Sequence, residues 1–150
     1  MSGKSNFGEE MARLHPALMS EVMKRQKESA LMKSDMTLTN VLVLDALRDS
    51  GTMTMGEIAA VLNLSMGAVT AIVDKLVKQS IAARERDPRD RRVVRVSLLP
   101  KGSKLVDDLY SERVSLSNDF YGVLTEDEKK EVLRIYKKIY RSLRKNDKKK

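Results

Sequence analysis

Six arginines fall within twelve residues: Arg84, Arg86, Arg89, Arg91, Arg92 and Arg95, set against Glu85, Asp87 and Asp90. Arginine offers a permanently charged, planar fork of donors that suits phosphate oxygens and the strongly negative floor of a narrow minor groove. The aspartates have another use. A short carboxylate can close a turn on its own backbone and hold a neighbouring guanidinium in one rotamer. A second basic segment ends the chain, where Arg141, Arg144, Lys145, Lys148, Lys149 and Lys150 face only Asp147. These two segments carry +3 and +5, which is the whole formal net charge of +8. A neutral body with two cationic appendages points to a polyanionic partner, nucleic acid first. A lysine tail by itself is ordinarily solvated surface, so the arginine run is the more informative of the two.

The same composition removes other chemistries. With 150 residues, 41% of them hydrophobic, the chain suits one compact domain or one protomer of an intertwined dimer. There is no Cys, so disulfides, thiol nucleophiles, thiolate zinc sites and thiol redox sensing are absent. The single histidine, His15, has no second imidazole with which to build a triad or a metal site. No cofactor, metal site or nucleophile–base arrangement is expected, and an enzyme is not. No apolar run approaches the roughly 18 residues of a membrane span, and the N-terminus has no signal-peptide core. The expectation is a soluble cytoplasmic protein without membrane attachment.

The elements that must carry the arginines are predicted to be mostly helical. Phe7, Met11, Leu14, Leu18 and Val22 recur at three- and four-residue spacing and predict a helix from Phe7 to about Lys33. Pro16 is expected to kink or restart it, with His15 as a boundary residue. Thr37 and Asn40 predict a cap for a buried second helix through Val41, Val43, Leu44 and Leu47, stopped by a left-handed Gly51. Thr52-Met53 reads as extended. Thr54 with Glu57 forms a capping box opening a third helix through Ile58, Val61 and Leu62. Asn63 makes the turn and Ser65 caps a fourth helix, apolar at Val69, Ile72, Val73, Leu76 and Val77. Ile81–Arg86 and Val93–Leu98 are β-prone, joined by the turn sequence Asp87-Pro88-Arg89-Asp90. Pro100-Lys101-Gly102 opens a fifth helix, broken at Gly122, and Thr125 with Glu128 caps the last, through Ile135, Tyr136, Ile139, Tyr140 and Leu143.

Helix, tight turn, capped helix and arginine hairpin, in that order, form a winged helix-turn-helix by pattern, with the helix-turn-helix over 54–77. The fold class is mainly α with a small β-hairpin wing, six helices in the order α-α-(β)-α-α-β-β-α-α. The face of the fourth helix left free for a major groove carries Ser65, Met66, Gly67, Thr70, Ala71 and Lys75. Its residues are small, so the backbone can come close to base edges. Thr70 can bond to a base, and the methyls of Thr70 and Ala71 can touch a thymine methyl. No Arg, Gln or Asn lies between Ser65 and Val77, which predicts modest direct readout and more dependence on DNA shape. The hairpin compensates by carrying Arg84, Arg86, Arg89, Asp90, Arg91 and Arg92. The alternative reading is a winged-helix module that contacts protein or RNA. With aromatics at 4% there is little to stack on RNA bases.

From about Phe7 to Leu143 the chain resembles the MarR family of transcriptional regulators. The resemblance is carried by Leu64-Ser65, Val69-Thr70 and Ile72-Val73-Asp74-Lys75-Leu76. It is most specific in Asp87-Pro88-Arg89-Asp90-Arg91-Arg92 followed by Val96-Ser97-Leu98-Leu99-Pro100-Lys101-Gly102. It implies that Arg92 reaches the minor groove and that Asp90 orients it. It implies a homodimer joined by the terminal helices, reading a pseudo-palindromic operator in double-stranded DNA with recognition helices about 34 Å apart. It implies a repressor whose DNA binding is relieved by a small aromatic or anionic effector. The whole of 1–150 is then one domain. Its DNA-binding lobe is about 37–99, its dimerisation helices are 7–33 and 101–143, and 144–150 is a basic tail. Two positions depart from the family pattern. Leu99 stands where a capping Thr is usual, with Ser97 or Ser103 expected to compensate in part, and Ser80 stands where a Gly commonly ends the recognition helix.

Overall fold

The computed structural model describes residues 6–25, 29 and 35–147. Six helices and three strands follow one another: α1 (Phe7–Arg25), α2 (Leu38–Ser50), β1 (Thr52–Thr54), α3 (Met55–Leu62), α4 (Met66–Lys78), β2 (Ala82–Arg86), β3 (Val94–Leu98), α5 (Pro100–Tyr121) and α6 (Glu126–Asp147). The chain divides into two compact units, 1–112 and 113–150, with the boundary inside α5.

The first unit has one core. Val41, Val43, Leu44 and Leu47 of α2 meet Ile58 of α3 and Val69, Val73 and Leu76 of α4. Met53, Ile81, Ala82, Val96, Val106 and Leu109 close it. Val41, Val43, Leu44 and Leu47 form one broad buried face of α2, while Leu38 and Leu42 on its other side are exposed, so the helix expected to be buried throughout is covered on one side. Arg48 of α2 stacks over the Tyr110 ring of α5 at 4.5 Å, a cation–π contact at the edge of this core. Val61, predicted to join the apolar side of α3, is instead 49% exposed. In an eight-residue helix only Ile58 is fully buried, and Val61 lies off that line.

The wing is broader than a hairpin. β1 pairs antiparallel with β3, Met53 opposite Val96, and β3 pairs with β2, Arg84 opposite Val96. The result is a three-stranded sheet in the order β1-β3-β2. Residues 52–54 were too few to announce a strand by alternation. Their pairing anchors the base of the wing to the start of α3.

The helix ends are set by side chains. Thr37 and Asn40 exchange bonds across the first turn of α2, at 3.2 and 2.9 Å. Thr54 and Glu57 do the same for α3, at 3.1 and 2.7 Å. Thr125 and Glu128 open α6. Three expectations change. Helix α1 runs through Pro16 without a new start, so exposed His15 lies within a helix and not at a break. The expected extension to Lys33 lies largely outside the described residues. Gly51 has φ +77° and ψ −64°, a positive φ but outside the left-handed helical region. At the far end α6 reaches Asp147, so the start of the basic tail is helical.

The stop of α4 is strained where the sequence departs from the family pattern. The amide of Ile81 donates to the Leu76 carbonyl and the amide of Ser80 to that of Val77, both at 2.9 Å. This is a Schellman motif, with buried Ile81 packed beside Leu76, and its left-handed residue is Ser80 at φ +57°. A few residues on, α5 starts with Leu99 in place of a capping hydroxyl. Neither Ser97 nor Ser103 supplies a side-chain cap there among the described residues. The first turn of α5 is held by its backbone. The Leu99 amide donates to the Ile81 carbonyl at 2.9 Å, and a Cβ on Gly102 would lie 2.1 Å from that same oxygen. Only glycine permits this approach.

Two substitutions test these junctions by urea denaturation. Ser80→Gly removes a Cβ from the left-handed position and is expected to stabilise by about 1 kcal/mol. Gly102→Ala must push α5 away from Ile81 and is expected to destabilise by about 1–3 kcal/mol. An unchanged midpoint in either variant contradicts the geometry.

Candidate nucleic-acid interface

Between α3 and α4 the chain bends by 115°, the angle of a helix-turn-helix. The turn is short because each residue in it has a task. Asn63 is left-handed, with φ 52° and ψ 48°, and the Leu64 amide returns to the Ala59 carbonyl at 2.9 Å. Ser65 then caps α4, its hydroxyl accepting from the Ala68 amide at 3.2 Å. The next helix therefore starts with a fixed direction and with its remaining N-terminal amides facing outward, an arrangement that favours phosphate.

Helix α4 buries one face and bares the other. Val69, Val73 and Leu76 are fully covered, while Met66, Gly67, Thr70, Ala71 and Asp74 are exposed, Met66 at 52%. The Thr70 hydroxyl donates to the Met66 carbonyl at 2.8 Å. Its proton is used within the helix, so towards an outside partner this hydroxyl has only its acceptor positions left. Lys75 is half-buried and held at 2.9 Å by the Asp35 carboxylate, and it also bonds the Asp35 carbonyl. Arg84, on β2, pairs with Asp74 of α4 and joins the wing to the recognition helix. Sequence spacing could not show either pairing, since one partner lies 40 residues away and the other across an element boundary.

At the wing tip the organising residue is Asp87. Its carboxylate accepts from the amides of Arg89 at 2.8 Å and Asp90 at 3.3 Å, and from Arg95 Nε at 2.5 Å. The side chain is only 13% exposed. The Arg95 guanidinium, and next the Arg89 amide, hold this carboxyl below the usual carboxylate range. It therefore stays charged, and the turn closed, at neutral pH. Asp90 meets Arg92, the residue that the resemblance pairs it with. It accepts from the Arg92 backbone amide at 3.0 Å, not from the guanidinium, so it positions Arg92 through the main chain. The Asp87 amide donates to the Val93 carbonyl and the Val93 amide to that of Asp90, both at 2.9 Å, which completes the loop.

The outcome is a division of the arginines. Arg84 and Arg95 are spent on internal carboxylates. Arg86, Arg89, Arg91 and Arg92 are exposed, and among the described residues they make no ion pair. The structure thus brings the exposed face of α4 and four unpaired arginines of the wing into one unit, on either side of the Asp74–Arg84 bridge. Lys101 adds a support that the sequence did not single out. Its ammonium bonds the Gln79 carbonyl at 2.8 Å and caps the last turn of α4.

Comparison with known proteins places this arrangement. The MarR family model matches residues 36–94. The multiple antibiotic resistance protein MarR of Salmonella typhimurium is 30% identical over 123 residues, spanning 78% of this chain and 85% of that protein. The HTH-type transcriptional repressor MdtR of Bacillus subtilis is 28% identical, spanning 82% and 79%. Among solved structures, YusO of Bacillus subtilis matches with a TM-score of 0.75 at 26% identity, covering 94% of this chain and 99% of that one. A mutant of Escherichia coli MarR complexed with operator DNA matches with a TM-score of 0.66, also at 26% identity, covering 92% and 99%. Capped helices, a Schellman stop and an aspartate-closed arginine loop thus sit on a shared scaffold, and the chain belongs to the MarR family.

Proposed function

We propose that this protein is a homodimeric, sequence-specific regulator of transcription, a repressor acting in the cytoplasm on a pseudo-palindromic operator. The observation that carries the reading is the sorting of side chains in the winged lobe. Every apolar residue needed to hold α4 is buried, its opposite face is bare, and the arginines not needed internally stand free on the adjoining loop. Ser65, Met66, Gly67, Thr70 and Ala71 enter a major groove. Arg92, with Arg89 and Arg91 beside it, enters the flanking minor groove. Arg84, Lys75 and Asp90 set the position of these groups, and Arg86 adds a phosphate contact. The lobe is about 37–99.

The second copy is recruited by the terminal helices. Phe7, Met11 and Leu14 of α1 are exposed, as are Ile135, Tyr136, Ile139, Tyr140 and Leu143 of α6. Apolar rows of this kind belong in an interface. Family resemblance adds relief by a small aromatic or anionic effector to this reading.

The test is binding to the DNA upstream of the protein's own gene, followed by fluorescence anisotropy at several salt concentrations. A salt-sensitive, sequence-preferring complex is expected. Arg92→Ala should weaken it roughly 10- to 100-fold. Asp87→Ala, which opens the loop without touching DNA, should weaken it by less and leave the fold intact by circular dichroism. Absence of a sequence-preferring complex in the wild type favours a module that contacts protein and not DNA, and full affinity in Arg92→Ala removes Arg92 from the groove contact.

A further inference from the structure

The winged lobe leaves one large block of charge unused, and it lies on α6. From Arg134 to Lys145 there are six cations, Arg134, Lys137, Lys138, Arg141, Arg144 and Lys145, and no acid. The acids of this helix, Glu126, Asp127, Glu128 and Glu131, precede them. With 3.6 residues per turn, positions 134, 138, 141 and 145 form one line along the helix, in steps of about 6, 4.5 and 6 Å. The side chains of Arg134, Lys138, Arg141 and Ser142 line one open groove of about 470 Å³. Arg134 is braced by Glu131, while Lys138 and Arg141 make no ion pair among the described residues. The exposed residues Ile135, Tyr136, Ile139, Tyr140 and Leu143 fall on the other side of the helix.

We propose that this stripe is a second, sequence-independent surface for duplex DNA, holding its phosphate backbone apart from the winged lobe. The opposition of the two faces selects the occupant. This step rests on the reading of the apolar face as a subunit contact. With that face covered, α6 has nothing left to insert into a lipid surface, which needs apolar and cationic faces together. The stripe itself carries no apolar or aromatic residue to anchor a protein partner, whose interface would be built around such side chains. It carries none to stack unpaired RNA bases either. Cations and a hydroxyl at regular steps match the groups that contact a duplex backbone. A dimer displays two such stripes, so it can hold a second stretch of DNA while its lobes hold the first.

Two 24-base-pair duplexes of random sequence, one carrying a donor dye and one an acceptor, report this directly when mixed with the full chain at about 50 mM salt. The wild type is expected to bring the dyes together. Arg134→Gln/Lys138→Gln/Arg141→Gln should lower the transfer at least fivefold and reduce the salt slope by about 2–3. Arg134→Lys/Arg141→Lys, which keeps the charge, should retain it. A chain with Arg89→Ala/Arg91→Ala/Arg92→Ala should keep weak duplex binding through α6, and adding the three glutamines should abolish it. Unchanged transfer and slope in the glutamine variant overturn the proposal. So does a wild type whose stripe binds phosphatidylglycerol vesicles or a polyglutamate peptide in place of duplex. Failure of the regulator reading has a different signature, namely a wild type that shows no preference for the upstream DNA over random duplex.

Discussion

One constraint governs the lobe: α4 must be held rigidly by a single face. Val69, Val73 and Leu76 supply that hold by packing into the α2 core, and outside it, among the described residues, only the Asp74–Arg84 and Lys75–Asp35 pairs touch the helix from the side. A helix of 13 residues is marginal in water by itself, so its order comes from this packing and from its ends. The ends are therefore over-determined. Ser65 closes the start, while the Schellman bonds and the Lys101 ammonium close the finish. The Ile81 carbonyl takes the Leu99 amide and sits against Gly102, so the stop of α4, the root of the wing and the start of α5 share one point. Strain at Ser80 is tolerable because three elements fix it together.

Charge in the lobe is arranged on the same principle. A cluster of arginines on a short loop repels itself, and an unclosed loop would spread those charges over many conformations. Asp87 counters both effects by tying two amides and one guanidinium to a single carboxylate. Asp74 and Asp35 restrain Arg84 and Lys75 beside the recognition helix. These exposed pairs add little to stability. Their effect is geometric, in that they decide which cations remain available to an outside phosphate. Direct base reading by α4 is limited further by Thr70, whose proton is committed to Met66. In the proposed reading, specificity then leans on the arginines and on groove shape.

The local rules were visible in the sequence and the long-range ones were not. Thr37, Thr54, Ser65 and Thr125 each precede an apolar helix at capping distance, and all four cap. The periodicity of Val69, Val73 and Leu76 fixed the buried face of α4, and with it the exposure of Met66 and Thr70. Alternation located β2 and β3, while β1 was legible only as a bracketed strand at the extended Thr52-Met53, and three residues carry no period from which its pairing with β3 could be read. Pro16 starts no new helix, since α1 runs through it. Its missing donor is tolerated in an exposed helix whose neighbouring residues carry no packing that a lost bond would disturb. Asp90 has the partner that the motif implied, and the structure adds that the contact is to the Arg92 amide. A motif names the residues that meet, and only backbone geometry decides between a guanidinium and an amide.

The terminal helices follow a different logic from the lobe. Among the described residues, α1 has no buried residue, and α6 none beyond half-buried positions such as Val132. The unit spanning 113–150 is under the size at which a chain stabilises itself without a partner, disulfide or metal, and this chain has no cysteine to supply a disulfide. The exposed rows of Phe7, Met11 and Leu14, and of Tyr136, Ile139 and Tyr140, therefore gain their stabilisation from a second copy in the dimer proposed above. In that dimer the folding of these helices depends on protomer concentration. In the proposed dimer, an agent that alters the packing of α1 or α6 acts on the joining of the two copies without touching the winged lobe.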